Sequence, residues 1–223
     1  YSEMTGSRPK IAVGFSGGVD SLVTCLLLKN KGYDVFAVTL IYTNNQMEKS
    51  FQDHVKKAAE KICINHEFFD IRKAFTQVLS YFKMGYLSGE TPNPCVYCNQ
   101  HIKWPYLFKY AGNIGATKVA TGHYAQIRSV DGDYFISKGV DKEKEQSFFL
   151  WNLLPEQLEN VELPLGNMQK SEVKAIAKKY GFTSYAKQKE STGPCFTGKN
   201  YRDTLKTMLK DSENPGKGNF LSE

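Results

Sequence analysis

The segment that most constrains the fold is a short apolar run followed at once by a glycine-rich turn. Residues 11–15, Ile-Ala-Val-Gly-Phe, predict a buried strand, and Ser-Gly-Gly follows directly. Asp20 and Ser21 then begin an apolar helical segment that closes on lysines and Gly32, with the acidic start and basic end that helices favour. A strand that turns immediately into a helix is a building block of parallel sheets.

Strands and helices alternate along the rest of the chain. Further strands are predicted at residues 34–42, 67–71 and 118–121, and helices at 54–62, 75–86, 102–114, 171–180 and 201–209. This alternation predicts an α/β fold, a Rossmann-like parallel sheet flanked by helices. A hairpin at 133–138 and the last helices would form a small appendage. Residues 91–99, with two prolines and two cysteines, are predicted as a surface loop.

Composition narrows the class of protein. The sequence contains no run of ~20 apolar residues of the kind that spans a membrane, and residues 1–8 lack the apolar core of a secretory signal. We therefore expect a cytoplasmic protein without membrane attachment. The chain carries 29 Lys and Arg against 23 acidic residues, which permits a polyanionic partner without showing one. Its five cysteines, an odd number, argue against a disulfide framework.

The glycine-rich turn, residues 16–21 (Ser-Gly-Gly-Val-Asp-Ser), has the features of a phosphate-binding loop. Glycines let the backbone approach a ligand closely, and the amides at a helix start attract anions. Asp20 would orient the loop or share a Mg²⁺ ion. The Gly-Lys ending of a Walker A loop is missing, and a plain turn with an Asp-Ser helix cap is the alternative. The strand directly before the turn favours phosphate binding.

The hexad resembles the PP-loop, SGGxDS, of ATP pyrophosphatases, which adenylate a substrate and release pyrophosphate. Five further motifs resemble those of the MnmA-type tRNA 2-thiouridylases: TPNPxxxCN at residues 89–99, ATGHYA at 120–125, DQSYFL at 145–150, PLGxxxKxEV at 163–173 and DSTGICFIG at 190–198. The resemblance implies an adenine nucleotide alpha hydrolase-like fold and ATP as a substrate.

The resemblance also implies two sets of contacts. The ATP set is Gly14, Phe15, Ser16, Gly17, Gly18, Val19, Asp20, Ser21, Leu40 and Gly122. The RNA set is Asn93, Pro94, Cys95, His123, Lys144, Glu145 and Gln146. For His123, capping the end of its own strand is an equally open role.

The chemistry implied by the resemblance is the replacement of a uridine oxygen by sulfur. Uridine O2 is a poor leaving group, so ATP first adenylates it, and a sulfur nucleophile then displaces AMP. Cys195 would carry the sulfur as a persulfide received from a cysteine desulfurase or a sulfur relay protein. Its partner Cys98 would either help liberate the sulfide or close a disulfide with Cys195 after transfer. Reactive cysteines need low thiolate pKa values. The bases nearest in sequence are Lys103, Lys187 and Lys189, whereas Cys25 and Cys63 are expected to be small core residues.

A second sulfur mechanism is open because Cys95 stands where many members of the resembled family carry Asp. Cys95, Cys98 and Cys195 could then hold three irons of a [4Fe-4S] cluster whose fourth iron binds sulfide. Zinc would ordinarily need a fourth protein ligand. The persulfide route ranks first and the cluster second.

The expected organisation has four parts. Residues 9–150 would form the ATP-binding catalytic domain and residues 151–210 an extension that carries the second cysteine. Residues 1–8 are expected to be disordered or an artificial leader, and residues 211–223 a flexible tail rich in Gly, Pro, Asn and Ser. The resembled family continues into a central domain and a β-barrel that grip tRNA. A truncated chain and a short form with another RNA are both open.

Two other functions remain as alternatives. A PP-loop ligase that adenylates another RNA or a small molecule would use the phosphate loop but leave Cys98 and Cys195 idle. An RNA-binding module without catalysis would need neither the loop nor the cysteines. Release of AMP and pyrophosphate in the presence of RNA separates the enzyme from the binding module.

Overall fold

The computed structural model describes residues 8–188, 193–197 and 200–209. Its main sheet has five strands: β1 (Lys10–Gly14), β2 (Asp34–Ile41), β3 (Asn65–Asp70), β4 (Lys118–Ala120) and β7 (Val161–Glu162). All neighbouring strands are parallel, in the order β3-β2-β1-β4-β7. The predicted Rossmann-like α/β fold is confirmed. The predicted start, apart from Arg8, and the predicted tail, residues 211–223, lie outside the described residues.

Two further strands form the predicted hairpin. β5 (Ala125–Val130) pairs antiparallel with β6 (Asp133–Lys138). Asp131 and Gly132 connect them with φ values of +52° and +93°. Two consecutive residues with positive φ match the right-handed twist of the strands, which is why Asp-Gly suits this turn.

Nine helices lie in the described part of the chain. They are α1 (Val19–Asn30), α2 (Lys49–Lys61), α3 (Arg72–Leu87), α4 (Pro94–Cys98), α5 (Trp104–Ile114), α6 (Pro155–Leu158), α7 (Lys170–Lys179), α8 (Thr183–Ala186) and α9 (Tyr201–Met208). A π-helical turn, Asn99–Lys103, joins α4 to α5. None of the helices among these residues has the length and apolar composition needed to cross a membrane.

The surface loop predicted at residues 91–99 is wrong, because α4 forms there. The Asn93 side chain accepts hydrogen bonds from the amides of Cys95 and Val96, at 3.1 and 3.2 Å, and Pro94 occupies the first helical position. An Asn cap followed by proline is a strong helix start, so the signal was present in the sequence. The short helix buries Cys98, whose exposed fraction is 8%.

The sheet separates two cores. Along β1, Ile11 and Val13 face one core, whereas Ala12 faces the other, as the period of two in a strand requires. The first core includes buried residues of α1, α2, α7 and α8, and the second those of α3, α4 and α5. Cys25 lies in the first core as expected, but Cys63 is exposed, which corrects the prediction that it is a core residue. It follows α2 with a φ of +50°, in a turn toward β3.

The strand order positions the site. The chain runs from β1 outward to β2 and β3, and then returns to β4 on the other side of β1. In open α/β sheets, ligands bind beyond the carboxyl ends of the strands where the order reverses, here between β1 and β4. The glycine-rich turn follows β1, Gly122 follows β4, and Tyr42 follows the neighbouring β2.

His66 on β3 makes folding stability depend on pH. Its Nε2 lies 2.8 Å from Thr39 Oγ1, and burial, followed by the charge of Lys56, lowers its pKa to about 4. An unfolded histidine titrates near 6.5, so the unfolded chain binds more protons between these values and stability is lost as the pH falls through this window. We expect His66 to account for about 2 kcal/mol of the loss between pH 7 and 4.5, discounted because the ring is only partly buried.

Urea unfolding of the wild type and of His66→Gln at both pH values tests this effect. Glutamine can still hydrogen-bond Thr39 but does not titrate. The pH dependence of the free energy of unfolding should therefore be smaller in the variant. Equal pH dependence in the two proteins would contradict the assignment.

Candidate active site

The turn after β1 is closed upon itself by its two serines. The Ser21 hydroxyl accepts a hydrogen bond from the Ser16 amide at 3.2 Å and donates one to the Gly18 carbonyl at 3.0 Å. Gly17 has a φ of +77°, and a Cβ added there would lie 2.8 Å from Cγ2 of the buried Val55. Only glycine fits this position without displacement. Gly18 is the N-cap of α1, so the amides of the first helical turn face the loop, an arrangement that attracts anions.

The carboxylate of Asp20, in the first turn of α1, is held by two groups from distant parts of the chain. Lys170 Nζ lies 2.7 Å from both carboxylate oxygens, and the Tyr124 hydroxyl donates to Oδ1 at 2.8 Å. Lys170 is almost fully buried, with 9% exposed. Sequence reasoning missed this ion pair, because 150 positions separate the partners. The only signal was the place of Lys170 in the PLGxxxKxEV motif.

Two other residues fit closely around the loop. A Cβ added at Gly122 would lie 3.0 Å from the Asp20 backbone carbon, so the end of β4 packs directly on the start of α1. On the other side, Nε2 of His54 lies 3.3 Å from the Gly17 carbonyl oxygen, and its ring stacks on Tyr185 with centroids 4.7 Å apart. His54 was not singled out from the sequence, since a histidine inside an amphipathic helix gives no local signal.

The end of β2 is fixed by Gln46. Its side chain accepts hydrogen bonds from the amides of Tyr42 and Thr43, at 2.7 and 3.1 Å, and donates to the Leu40 carbonyl at 3.3 Å. Leu40 is buried at the carboxyl edge of the sheet, beside the glycine-rich turn. Its role toward adenosine stays a prediction.

The second cysteine segment, residues 193–197, is anchored by one aromatic side chain. Phe196 packs edge-on against Phe75 and Phe82 of α3, with ring centroids 5.8 and 5.2 Å apart. Edge-to-face contacts of this kind stabilise by about 0.5–1.5 kcal/mol beyond the buried area. Thr197 closes the segment by donating from both its amide and its hydroxyl to the Pro194 carbonyl.

With this anchor, Cys195 lies within electrostatic range of Cys98. The charge of Cys98 raises the pKa of Cys195, and the charges of both thiols raise the pKa of Tyr42, directly after β2. The two predicted catalytic cysteines therefore lie within range of each other's charge and of Tyr42, and both are free thiols. Cys95 also interacts with both through its charge. Nevertheless, no group of three or more His, Cys, Asp or Glu within the described ranges has the geometry of a metal site.

The expected low pKa values of these cysteines are wrong for the free protein. Burial raises the pKa of Cys98, and the protein atoms crowded around Cys195 raise its pKa to about 11, although part of that side chain reaches the surface. Lys103 lowers the pKa of both thiols, but burial outweighs it. Both cysteines are therefore protonated at neutral pH. Lys187 is exposed after α8, and Lys189 lies outside the described residues.

The residues predicted to contact RNA have structural partners of their own. Asn93 caps α4, Pro94 is buried at its start, and Cys95 is half-buried. His123 Nδ1 lies 2.7 Å from Thr121 Oγ1, and burial lowers the pKa of His123 well below its usual value. This geometry fits a histidine that caps its own strand end and stays neutral.

The segment 144–146 forms the turn beside Tyr124. Gln146 exchanges two hydrogen bonds with the Tyr124 backbone, at 2.9 and 3.0 Å. The Glu145 carboxylate accepts from the Ser147 amide at 2.6 Å, and the Lys144 amide donates to the Asp141 carboxylate at 3.2 Å. These contacts set the position of Tyr124 and hence of the hydroxyl on Asp20. Contact of these residues with RNA stays a prediction.

Comparison with known proteins identifies a matching family and similar sequences. The family described as the tRNA methyl transferase HUP domain matches residues 9–199. The tRNA-specific 2-thiouridylase MnmA 2 of Phocaeicola vulgatus is 39% identical over 98% of this chain and 64% of its own length. The tRNA-specific 2-thiouridylase MnmA of Streptococcus equi subsp. zooepidemicus is 44% identical over 91% of this chain and 56% of its own length. The chain thus spans about three fifths of these relatives.

Two solved structures share the fold. The U34-tRNA thiolase NcsA from Methanococcus maripaludis, solved with its [4Fe-4S] cluster, superposes with a TM-score of 0.54 at 17% identity, covering 93% of this chain and 66% of its own. NMN synthetase from Francisella tularensis gives 0.51 at 20% identity, covering 85% and 69%. At such identities the likeness shows the fold alone. The match of the family model over most of the sequence goes further, and the chain belongs to the tRNA methyl transferase HUP domain family.

Proposed function

We propose that the chain carries the ATP site and the sulfur-transfer site of an RNA 2-thiouridylase. It would adenylate O2 of a uridine in RNA, with tRNA as the favoured substrate, and replace that oxygen with sulfur, releasing AMP and pyrophosphate. The observation that carries the proposal is the charge interaction of Cys98 with Cys195, and of both thiols with Tyr42. Tyr42 directly follows β2, at the sheet edge that also holds the glycine-rich turn. The names of the 39–44% identical relatives support tRNA as the substrate.

The first step would take place at the turn after β1. Uridine O2 attacks the α-phosphorus of ATP, the bond to the β-phosphate bridging oxygen breaks, and pyrophosphate leaves. The first-turn amides of α1 would stabilise the phosphate charge, and the glycine at position 17 lets the backbone approach it. A Mg²⁺ ion bound with ATP would neutralise part of the triphosphate charge.

The second step would use the two thiols. The terminal sulfur of a Cys195 persulfide attacks carbon 2 of the adenylated uridine, and AMP leaves. The Cys98 thiolate then attacks the Cys195 sulfur of the resulting Cys195–S–S–uridine bond. A Cys98–Cys195 disulfide forms, and the 2-thiouridine leaves as the thiolate; an external thiol must reduce the disulfide before the next turnover. The exposure of Cys195 suits its loading by a cysteine desulfurase or a sulfur relay protein.

The raised pKa values suit cysteines that react only after Cys195 has received sulfur and the RNA has bound. A protonated thiol is a poor nucleophile and resists oxidation. Lys103 is the charge already placed to stabilise a thiolate at either position. The proposal places the chain in the cytoplasm, where thiols are kept reduced.

Product analysis tests the proposal. The chain is incubated with ATP, Mg²⁺, tRNA, a cysteine desulfurase and cysteine, and AMP, pyrophosphate and the nucleosides of the digested tRNA are measured. We expect 2-thiouridine in a one-to-one ratio with AMP. AMP formation that needs a small molecule and not RNA would support the ligase alternative instead. RNA binding without any AMP would support the inactive binding module.

Replacing Cys95 separates the two sulfur mechanisms. The backbone amide of residue 95 keeps its bond to Asn93 whatever the side chain, so Cys95→Ala should leave α4 intact. On the persulfide route, we expect the variant to keep at least about a third of the wild-type thiolation rate, an effect of ~0.7 kcal/mol on the barrier. Iron and sulfide are assayed after anaerobic purification and reconstitution. Loss of bound iron together with activity in Cys95→Ala would contradict this and establish the cluster.

A further inference from the structure

A carboxylate beside a triphosphate site is an electrostatic problem that the chain must solve. Asp20 lies in the first turn of α1, two residues beyond the N-cap glycine, where the proposed function puts the ATP phosphates. Like charges a few ångströms apart near a protein surface repel by several kcal/mol. In this structure the Asp20 carboxylate is paired with a cation from a distant part of the sequence, Lys170.

The Lys170 ammonium is held in place from several directions. It lies 2.7 Å from both oxygens of Asp20 and 5.6 Å from the centroid of the Tyr124 ring, whose hydroxyl bonds the same carboxylate. Lys170 is also the first residue of α7, and its backbone amide donates to the Asp141 carboxylate at 2.7 Å. Asp141 in turn accepts from the amides of Glu143 and Lys144, so the start of α7 is tied to that turn.

We propose that Lys170 is a positioning residue for the phosphate site, which cancels the charge of Asp20 and holds its carboxylate at the start of α1 so that the loop can accept a polyphosphate. The inference rests on the proposed function. We place its action through Asp20, because its ammonium makes two short bonds to that carboxylate and its stem is buried. The Asp20–Lys170 pair thus keeps a carboxylate at the start of α1 while its net charge is zero.

A double-mutant cycle measures this role. Dissociation constants for α,β-methylene ATP and for adenosine are determined by calorimetry for the wild type, Lys170→Met, Asp20→Asn, the double variant and Lys170→Arg. We expect Lys170→Met to weaken binding of the analogue about 30-fold, with adenosine affected less than about twofold since it carries no charge. The dissociation constant of the double variant for the analogue should return to within about fivefold of the wild-type value. Lys170→Arg, which keeps the positive charge, should also stay within about fivefold of the wild type.

Each outcome bears on the inference. If the 30-fold loss persists in the double variant, Lys170 contacts the phosphates directly and the inference is overturned. Equal affinities of the wild type and Lys170→Met overturn it as well. If Lys170→Met does not fold, the double variant, which leaves no unpaired charge, still decides by its affinity for the analogue. A wild type that binds neither probe would refute the proposed ATP site itself, which is a distinguishable result.

Discussion

Replacing Cys195 with serine is expected to abolish sulfur transfer, by about 10³-fold or more, while ATP-dependent AMP formation is retained. A serine oxygen cannot carry a persulfide, so the sulfur nucleophile is lost. The anchor of the segment, Phe196, is not touched by the change, and the side chain at 195 is exposed, so the fold should be unaffected. Nucleoside mass spectrometry and pyrophosphate release measure the two activities separately.

Cys98→Ser should fail at a later point of the same reaction. Without the Cys98 thiolate, the disulfide between Cys195 and the uridine sulfur is not resolved. We therefore expect a covalent adduct of protein and RNA that dithiothreitol releases, which should be absent from Cys195→Ser. The control is Cys63→Ser, which changes an exposed cysteine at the start of β3, the opposite edge of the sheet. Wild-type thiolation by either site variant would refute the two-cysteine mechanism.

Replacing Gly17 with alanine is expected to lower kcat/KM for ATP about 100-fold. Alanine at a φ of +77° is strained by roughly 1–2 kcal/mol, and its Cβ would lie 2.8 Å from Val55 Cγ2. Val55 is fully buried and β-branched, so it cannot turn away. The loop must therefore shift, and misplacing a binding group by about 1 Å can lower rates 10²-fold.

Gly89→Ala provides the matched control for this change. Gly89 has the same φ of +77°, but no atom lies within 4 Å of the added Cβ among the described residues. Both variants should lose stability from backbone strain, with a larger loss in Gly17→Ala because of the Val55 clash, as measured by thermal unfolding. Only Gly17→Ala should lose ATP affinity. Similar kinetics for the two variants would show that the phosphate does not bind at this turn.

Helices and strands long enough to show a periodic apolar pattern are predicted well from the local sequence. The run at residues 11–15 and the helix after it follow from apolar periodicity and charge placement, and the hexad between them stands where β1 meets α1. Elements without enough residues for a period escaped prediction. β7 has two residues, and α4 has five. In α4 the abundance of proline and cysteine predicts a loop and outweighs the helix signal of the Asn-Pro start.

Contacts between distant positions could not be predicted from periodicity at all. The Asp20–Lys170 pair joins residues 150 apart, and only the fold brings α7 to the start of α1. The approach of Cys195 to Cys98 was implied by the family resemblance, but its cause, Phe196 between two aromatic rings of α3, was not. The raised pKa values of the cysteines follow from burial, which a sequence does not reveal.

The π-helical turn, Asn99–Lys103, sets the direction of α4, the helix that carries Cys98, relative to α5. Such a turn holds one residue more than an α-helical turn, and it lies between the cysteines of α4 and the buried Trp104 that begins α5. Each residue of a helix advances its direction by about 100°. If the same residues formed a regular α-helix instead, the extra residue would rotate α4 by that angle relative to α5 and turn Cys98 away from Cys195. The wider turn thus sets the direction in which α4 presents Cys98, a requirement of the proposed mechanism that lies outside the two sulfur atoms.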